Sequence, residues 1–316
     1  MGQTRCSMPD AASPLPAAAA VPSGWRAWVA GARPRTLPAA VVPVLVGTAC
    51  AVGVADEVIA WRAVAAGVVA LMLQVGTNYA NDYSDGVRGT DAPGVRVGPV
   101  RLVGWEIKRP GAVKKAALLS FLVAGLAGLA LAVAVGPELI AVGAAALAAG
   151  WFYTGGSHPY GYYGLGELFV FVFFGLVATV GSTYVHAESI TALSVVAAVP
   201  VGLLATALLV INNLRDIPGD TGAGKRTLAV RLGDRRTRFL YTGLLVATFV
   251  AVPIVAGAFG RPAAAAALVG VVLARTPVLR VLEGASGGAL IPVLGATGRV
   301  QLVTGALLAG GIALGG

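Results

Sequence analysis

Two stretches of this chain carry the residues best suited to chemistry. The first, NYANDYSDGVRGTD at 78–91, follows an apolar run. Continued as a helix, it places Asn78, Asn81, Asp82 and Asp85 at i, i+3, i+4 and i+7, which is one face. Asp91 adds a third carboxylate just beyond. Carboxylates and amides crowded at the end of an apolar helix repel one another and attract water, so the cluster calls for a cation. Mg2+ suits it, being a hard ion commonly shared between a few carboxylates and substrate phosphates. The second stretch, NNLRDIPGDTGAGKRTLAVRLG at 212–233, places Asn212, Asp216 and Asp220 at i, i+4 and i+8 at the end of another apolar run. Pro218 and Gly219 are expected to break the helix between the two acids. Lys225 and Arg226 follow, a point charge and a planar fork that both suit phosphate oxygens. Together the clusters describe a site for a magnesium diphosphate. Asp82, Asp85, Asp216 and Asp220 are its central acids, Asn78, Asn81 and Asp91 complete the metal set, and Asn212 faces substrate.

The elements that must position these residues are membrane spans. The chain has 316 residues, of which 57% are hydrophobic and 12% charged, with mean hydropathy +0.82; soluble domains carry roughly 25% charged residues. This composition defines an all-α, polytopic bundle in a lipid bilayer. A net charge of +9 would suggest nucleic acid in a soluble protein, but here the placement of the charges along the spans accounts for it. Cys6 and Cys50 have neither a disulfide framework nor a metal-ligand spacing.

Residues 1–23, rich in Ala, Pro and Ser, read as a disordered tail ahead of a single membrane domain over 24–316. Spans fall near 37–55, 60–80, 115–135, 138–154, 166–185, 191–213, 238–259, 262–282 and 298–314. The eighth is the least regular, interrupted by Arg275 and Pro277. If the N-terminus is cytoplasmic, 21 of the 23 Lys and Arg residues lie on the inside, and only Arg62 and Arg261 on the other. Both acidic stretches then open on the cytoplasmic face of the cell membrane. Arg35, just before the first span, is either a topology anchor or a further diphosphate ligand. The inside loop from Trp151 to Glu167 holds no Lys or Arg but is dense in Gly and Tyr, so that Tyr153 and Tyr160 can approach a substrate.

These motifs, with ARPRTLPA at 32–39, YTGGSHPYGYYGLGE at 153–167 and LIPVLGATGRVQL at 290–302, resemble in order and spacing the UbiA superfamily of intramembrane prenyltransferases. Within it the chain is most similar to the 1,4-dihydroxy-2-naphthoate polyprenyltransferases of menaquinone synthesis. The wider superfamily usually carries NDxxDxxxD, whereas Asp91 stands two residues later here, as in the naphthoate branch. The resemblance implies a helical bundle open laterally to lipid, Mg2+ as cofactor, a polyprenyl diphosphate as donor and 1,4-dihydroxy-2-naphthoate as acceptor. The product would be demethylmenaquinone, with loss of CO2 and diphosphate. Prenylation of 4-hydroxybenzoate or homogentisate is the alternative within the class, and an ion-coupled transporter the alternative outside it. Prenyl chain length, oligomeric state and any general base carry no signature in these residues.

Overall fold

The computed structural model describes residues 22–91 and 100–315, so nearly all of the expected tail lies outside the described residues. Apart from short 3-10 and π turns, every regular element is a helix. A short α1 (Gly24–Ala32) meets α2 (Pro38–Ala51) at a bend of 54°. Then follow α3 (Ala60–Val87), α4 (Pro110–Ala134), α5 (Glu138–Phe152), α6 (Gly166–Ala187), α7 (Ala192–Gly222), α8 (Leu228–Ala258), α9 (Pro262–Leu282) and α10 (Gly287–Leu314).

Nine spans were expected. Seven of the helices are long and apolar enough to cross a membrane, and the bent pair α1–α2 makes up to eight. The fourth expected span, 138–154, corresponds to α5, which has 15 residues, about 22 Å at 1.5 Å per residue, against a hydrocarbon layer of about 30 Å. The chain is a multi-pass membrane protein.

α7 is the axis of the bundle, with 72% of its most apolar window buried. Leu204, Leu208 and Ile211 from it pack against Tyr241 and Leu245 of α8 and Leu290 and Val300 of α10. Burial also overrides local propensity here. α7 continues helically through Pro218 and Gly219 to Gly222, where a break had been expected, so Asp216 and Asp220 share one helix. Packing around a central span satisfies and confines the backbone that a proline would free in water. In the same way α9 runs through Pro277 to Leu282.

The ends of the bundle sort the charges. Arg62 donates to Val185 O and Ala134 O, and Arg261 to Val52 O and Ile312 O. Both acidic stretches lie at the opposite end, beside the α1–α2 corner and the Tyr-rich loop. The two exceptional basic residues thus share one end, as the sequence-derived topology requires.

Candidate active site

α3 runs unbroken to Val87, so Asn78, Asn81, Asp82 and Asp85 do form one buried stripe. At 100° per residue Asn81 and Asp82 sit at its two edges, and they part company. Asp82 turns away from the bundle interior to the loop after residue 100. Its two carboxylate oxygens accept the backbone N–H groups of Leu102 and Val103, each at 2.9 Å. Gly86 permits this approach, because a Cβ there would stand 2.5 Å from Val103. Asn78 donates to Ala32 O at 2.9 Å and so pins the α1–α2 corner. Asn81 accepts from the Thr154 hydroxyl at 2.7 Å. Asp85 takes the Lys225 ammonium at 2.8 Å on one oxygen and the Tyr162 hydroxyl at 2.6 Å on the other.

On α7, Asn212 and Asp220 face the same space as Asp85, whereas Asp216 is held by a bidentate ion pair with Arg215, both contacts at 2.8 Å. Asp91 is buried and pairs with Arg101 at 3.3 Å.

The space between these groups is the polar end of a long cavity. Asn78, Asn81, Asp85, Asn212, Asp220 and Lys225 line it, and so do Tyr153 and Tyr160; Asp82, Asp91 and Asp216 stand behind its wall. The cavity follows α3 from Ala66 to Asp85, roughly 28 Å at about 1.5 Å per residue. Away from the acids its wall is apolar, built from Val69, Leu73, Leu131 and the Phe173, Phe174 and Val177 side chains of α6. These last lie in a π-helical stretch, Phe171–Val177, whose wider turn reshapes the helix where it meets the cavity.

Two expected diphosphate ligands lie elsewhere. Arg35 is exposed, while Arg33, in the left-handed conformation that ends α1, and Thr36, at the end of the following 3-10 turn, face the cavity. Arg226 is exposed on the far side of Tyr162. Arg33, Arg101 and Tyr162 are site residues that sequence reasoning missed. For Arg33 and Arg101 the sequence carries no signal, whereas Tyr162 lies in the Tyr-rich loop two residues beyond Tyr160.

Tyr160 donates to Ala149 O at 2.8 Å and stacks on Phe169 at 4.0 Å, with Tyr153 edge-on at 5.4 Å. Burial raises the phenol pKa of Tyr153, Tyr160 and Tyr162 above the ordinary value, and the carboxylates near Tyr153 and Tyr162 add to it. The neutral, hydrogen-bond-donating form of these phenols is thereby favoured.

Among the described residues no three of His, Cys, Asp and Glu come together as a ready-made metal cluster. The donors that do share the cavity are two carboxylates, Asp85 and Asp220, and the amides Gln74, Asn78, Asn81, Asn212 and Asn213. All are hard oxygen donors or amide partners. That set fits a magnesium ion held by one or two carboxylates together with substrate phosphate oxygens.

A helical membrane protein whose acids, amides and buried cations close one end of a long apolar cavity is an enzyme built for an amphiphile with an anionic head. The chain belongs to the UbiA prenyltransferase family, which it matches over residues 40–289. It is 50% identical over 292 residues to the 1,4-dihydroxy-2-naphthoate octaprenyltransferase of Mycobacterium tuberculosis, covering 91% of this chain and 97% of that one. To the Escherichia coli enzyme of the same name it is 40% identical over 71% of this chain and 74% of that one. A solved UbiA homolog from Archaeoglobus fulgidus bound to GPP and Mg2+ shares the fold, with a TM-score of 0.61 at 13% identity over 89% of this chain and 99% of that one.

Proposed function

We propose that this enzyme transfers a polyprenyl group from a polyprenyl diphosphate to 1,4-dihydroxy-2-naphthoate, from an active site opening on the cytoplasmic side. The observation that carries this reading is the continuity of the cavity: one wall, α3, runs from apolar residues at Ala66 to Asp85 and its cation partner at Lys225. A long isoprenoid tail and a diphosphate head need that combination. The names of the closely similar relatives supply the acceptor.

Lys225, Arg33 and Arg101 are the cations available to the diphosphate oxygens. Asp85 and Asp220, helped by Asn78, Asn81 and Asn212, are the residues that would hold Mg2+, whose charge offsets that of the departing diphosphate. Tyr153 and Tyr160 line the cavity, where their aromatic rings can stabilise a developing allylic cation and shield it from water. The carbon–oxygen bond of the donor breaks and a bond forms to the ring carbon bearing the carboxylate. That carbon then loses CO2, and the electron pair left behind restores the aromatic ring. Because CO2 rather than a proton leaves the ring, no phenolate base is needed, in keeping with phenols held neutral. The product is the hydroquinone form of demethylmenaquinone.

Asp82 and Asp216 act one layer back. Asp82 fixes the loop that carries Arg101, and Asp216 neutralises buried Arg215.

The test is to incubate purified protein with labelled polyprenyl diphosphate and, separately, the naphthoate, 4-hydroxybenzoate and homogentisate. Prenylated naphthalene hydroquinone with stoichiometric CO2 release is expected. Faster prenylation of 4-hydroxybenzoate would replace the acceptor, and diphosphate release with none of the three would sink the transferase reading.

A further inference from the structure

Behind the ring of Tyr162 lies a second, surface-facing cavity, lined by Arg88, Ser157, Pro159, Tyr162, Tyr163 and Arg226, with Gly224 at its edge. No acid is among these residues. Arg226 is exposed, and its guanidinium has no hydrogen-bond or ion-pair partner among the described residues. Its backbone, however, is fixed: its N–H donates to Tyr162 O at 3.0 Å and its carbonyl accepts from Arg231 at 3.0 Å. Arg88 donates to Thr154 O and Gly156 O and lies 5.3 Å from the Tyr162 ring centroid. Tyr162 itself lines both cavities. Its ring is the partition between them, with Arg88 and Lys225 against it and its hydroxyl on Asp85.

We infer that this basic cavity is the vestibule through which the aromatic carboxylate acceptor reaches the active site, with Arg226 recognising its carboxylate and Tyr162 as the partition it must pass. The inference rests on the acceptor being an aromatic acid, as proposed above. A planar anion needs a flat apolar surface and a cation that is not already committed. Tyr162, Tyr163 and Pro159 supply the first, and the planar fork of Arg226 supplies the second in the geometry that carboxylates favour. The cations of the main cavity serve its diphosphate end instead: Lys225 pairs with Asp85 and Arg101 with Asp91, and Arg33 lines the same cavity. The same contacts couple the partition to the donor. Tyr162 is held by Asp85 and Lys225, the groups on which the prenyl diphosphate head would settle, so donor binding loosens the partition and the acceptor follows.

The inorganic diphosphate product is the other anion that could use this route, and steady-state kinetics of Arg226→Gln separates the two. In the variant the KM for the naphthoate should rise about tenfold or more, as expected for loss of a charge-assisted contact. The KM for the prenyl diphosphate and inhibition by inorganic diphosphate should stay as in the wild type. Arg226→Lys, which keeps the charge but not the fork, should recover part of the loss. An unchanged naphthoate KM, or a change confined to inhibition by inorganic diphosphate, overturns the inference. Running 4-hydroxybenzoate in parallel distinguishes the two readings. If that acid proves the better acceptor, the acceptor assignment fails, while a rise in its KM in Arg226→Gln would still identify the vestibule.

Discussion

Asp82→Asn separates an acid that builds the site from one that works in it. Asp82 is 1% exposed, and its two oxygens accept from two buried backbone N–H groups, those of Leu102 and Val103. Asparagine has one acceptor oxygen and no charge. One N–H therefore keeps a neutral bond and the other faces an amide N–H. A hydrogen bond to a charged group contributes about 1.5–3 kcal/mol, so local opening of the loop becomes easier by about that amount. In amide hydrogen exchange of the detergent-solubilised protein, protection at Leu102 or Val103 should fall by about 10- to 150-fold. Arg101 rides on this loop and lines the cavity, so the KM for the prenyl diphosphate should rise along with it. Asp85→Asn should do the opposite, abolishing turnover while leaving exchange at Leu102 and Val103 unchanged. If Asp82→Asn abolishes turnover with loop protection intact, Asp82 is a direct ligand, and its assignment to the scaffold is wrong.

Chelation with EDTA should abolish prenyl transfer and added Mg2+ should restore it; full turnover in chelator would remove the metal from the mechanism. Cysteines at Gly222 and Ala187, in a background lacking Cys6 and Cys50, should label from opposite membrane faces with Gly222 cytoplasmic, whereas labelling from one face would mean a miscounted span. The raised phenol pKa values carry a sign: the neutral phenol's contribution is fully present below the ordinary tyrosine value of about 10 and is lost only as pH rises through the higher folded value. The alkaline side of the rate profile should therefore be the same in Tyr153→Phe and wild type up to about pH 9, and a limb near neutrality that vanishes in the variant would point to a phenolate base.

The sequence by itself determined the all-helical membrane bundle, because runs of apolar residues of spanning length have few other solutions. It also determined that Arg62 and Arg261 fall at the end opposite the acids, and that the acids, the Tyr-rich loop and Lys225 meet at one end. Periodicity placed Asn78, Asn81, Asp82 and Asp85 on one face, and they are on one face. Only the tertiary structure decided what each side chain does there. A stripe about 100° wide borders both the cavity and a neighbouring loop, and which of these an edge residue meets depends on what packs alongside. Asp82 therefore went to the amides of Leu102 and Val103, while Asp85 went to Lys225 and Tyr162. The same holds for the cations: at the α1–α2 corner Arg33, with left-handed backbone, lines the cavity while Arg35, in the 3-10 turn that follows, is exposed, and Tyr162 separates Lys225 from Arg226 although the two are adjacent in the chain. The continuation of α7 through Pro218 was likewise a tertiary decision, since burial at the bundle axis outweighs the local cost of a proline that the sequence alone assigns to a break.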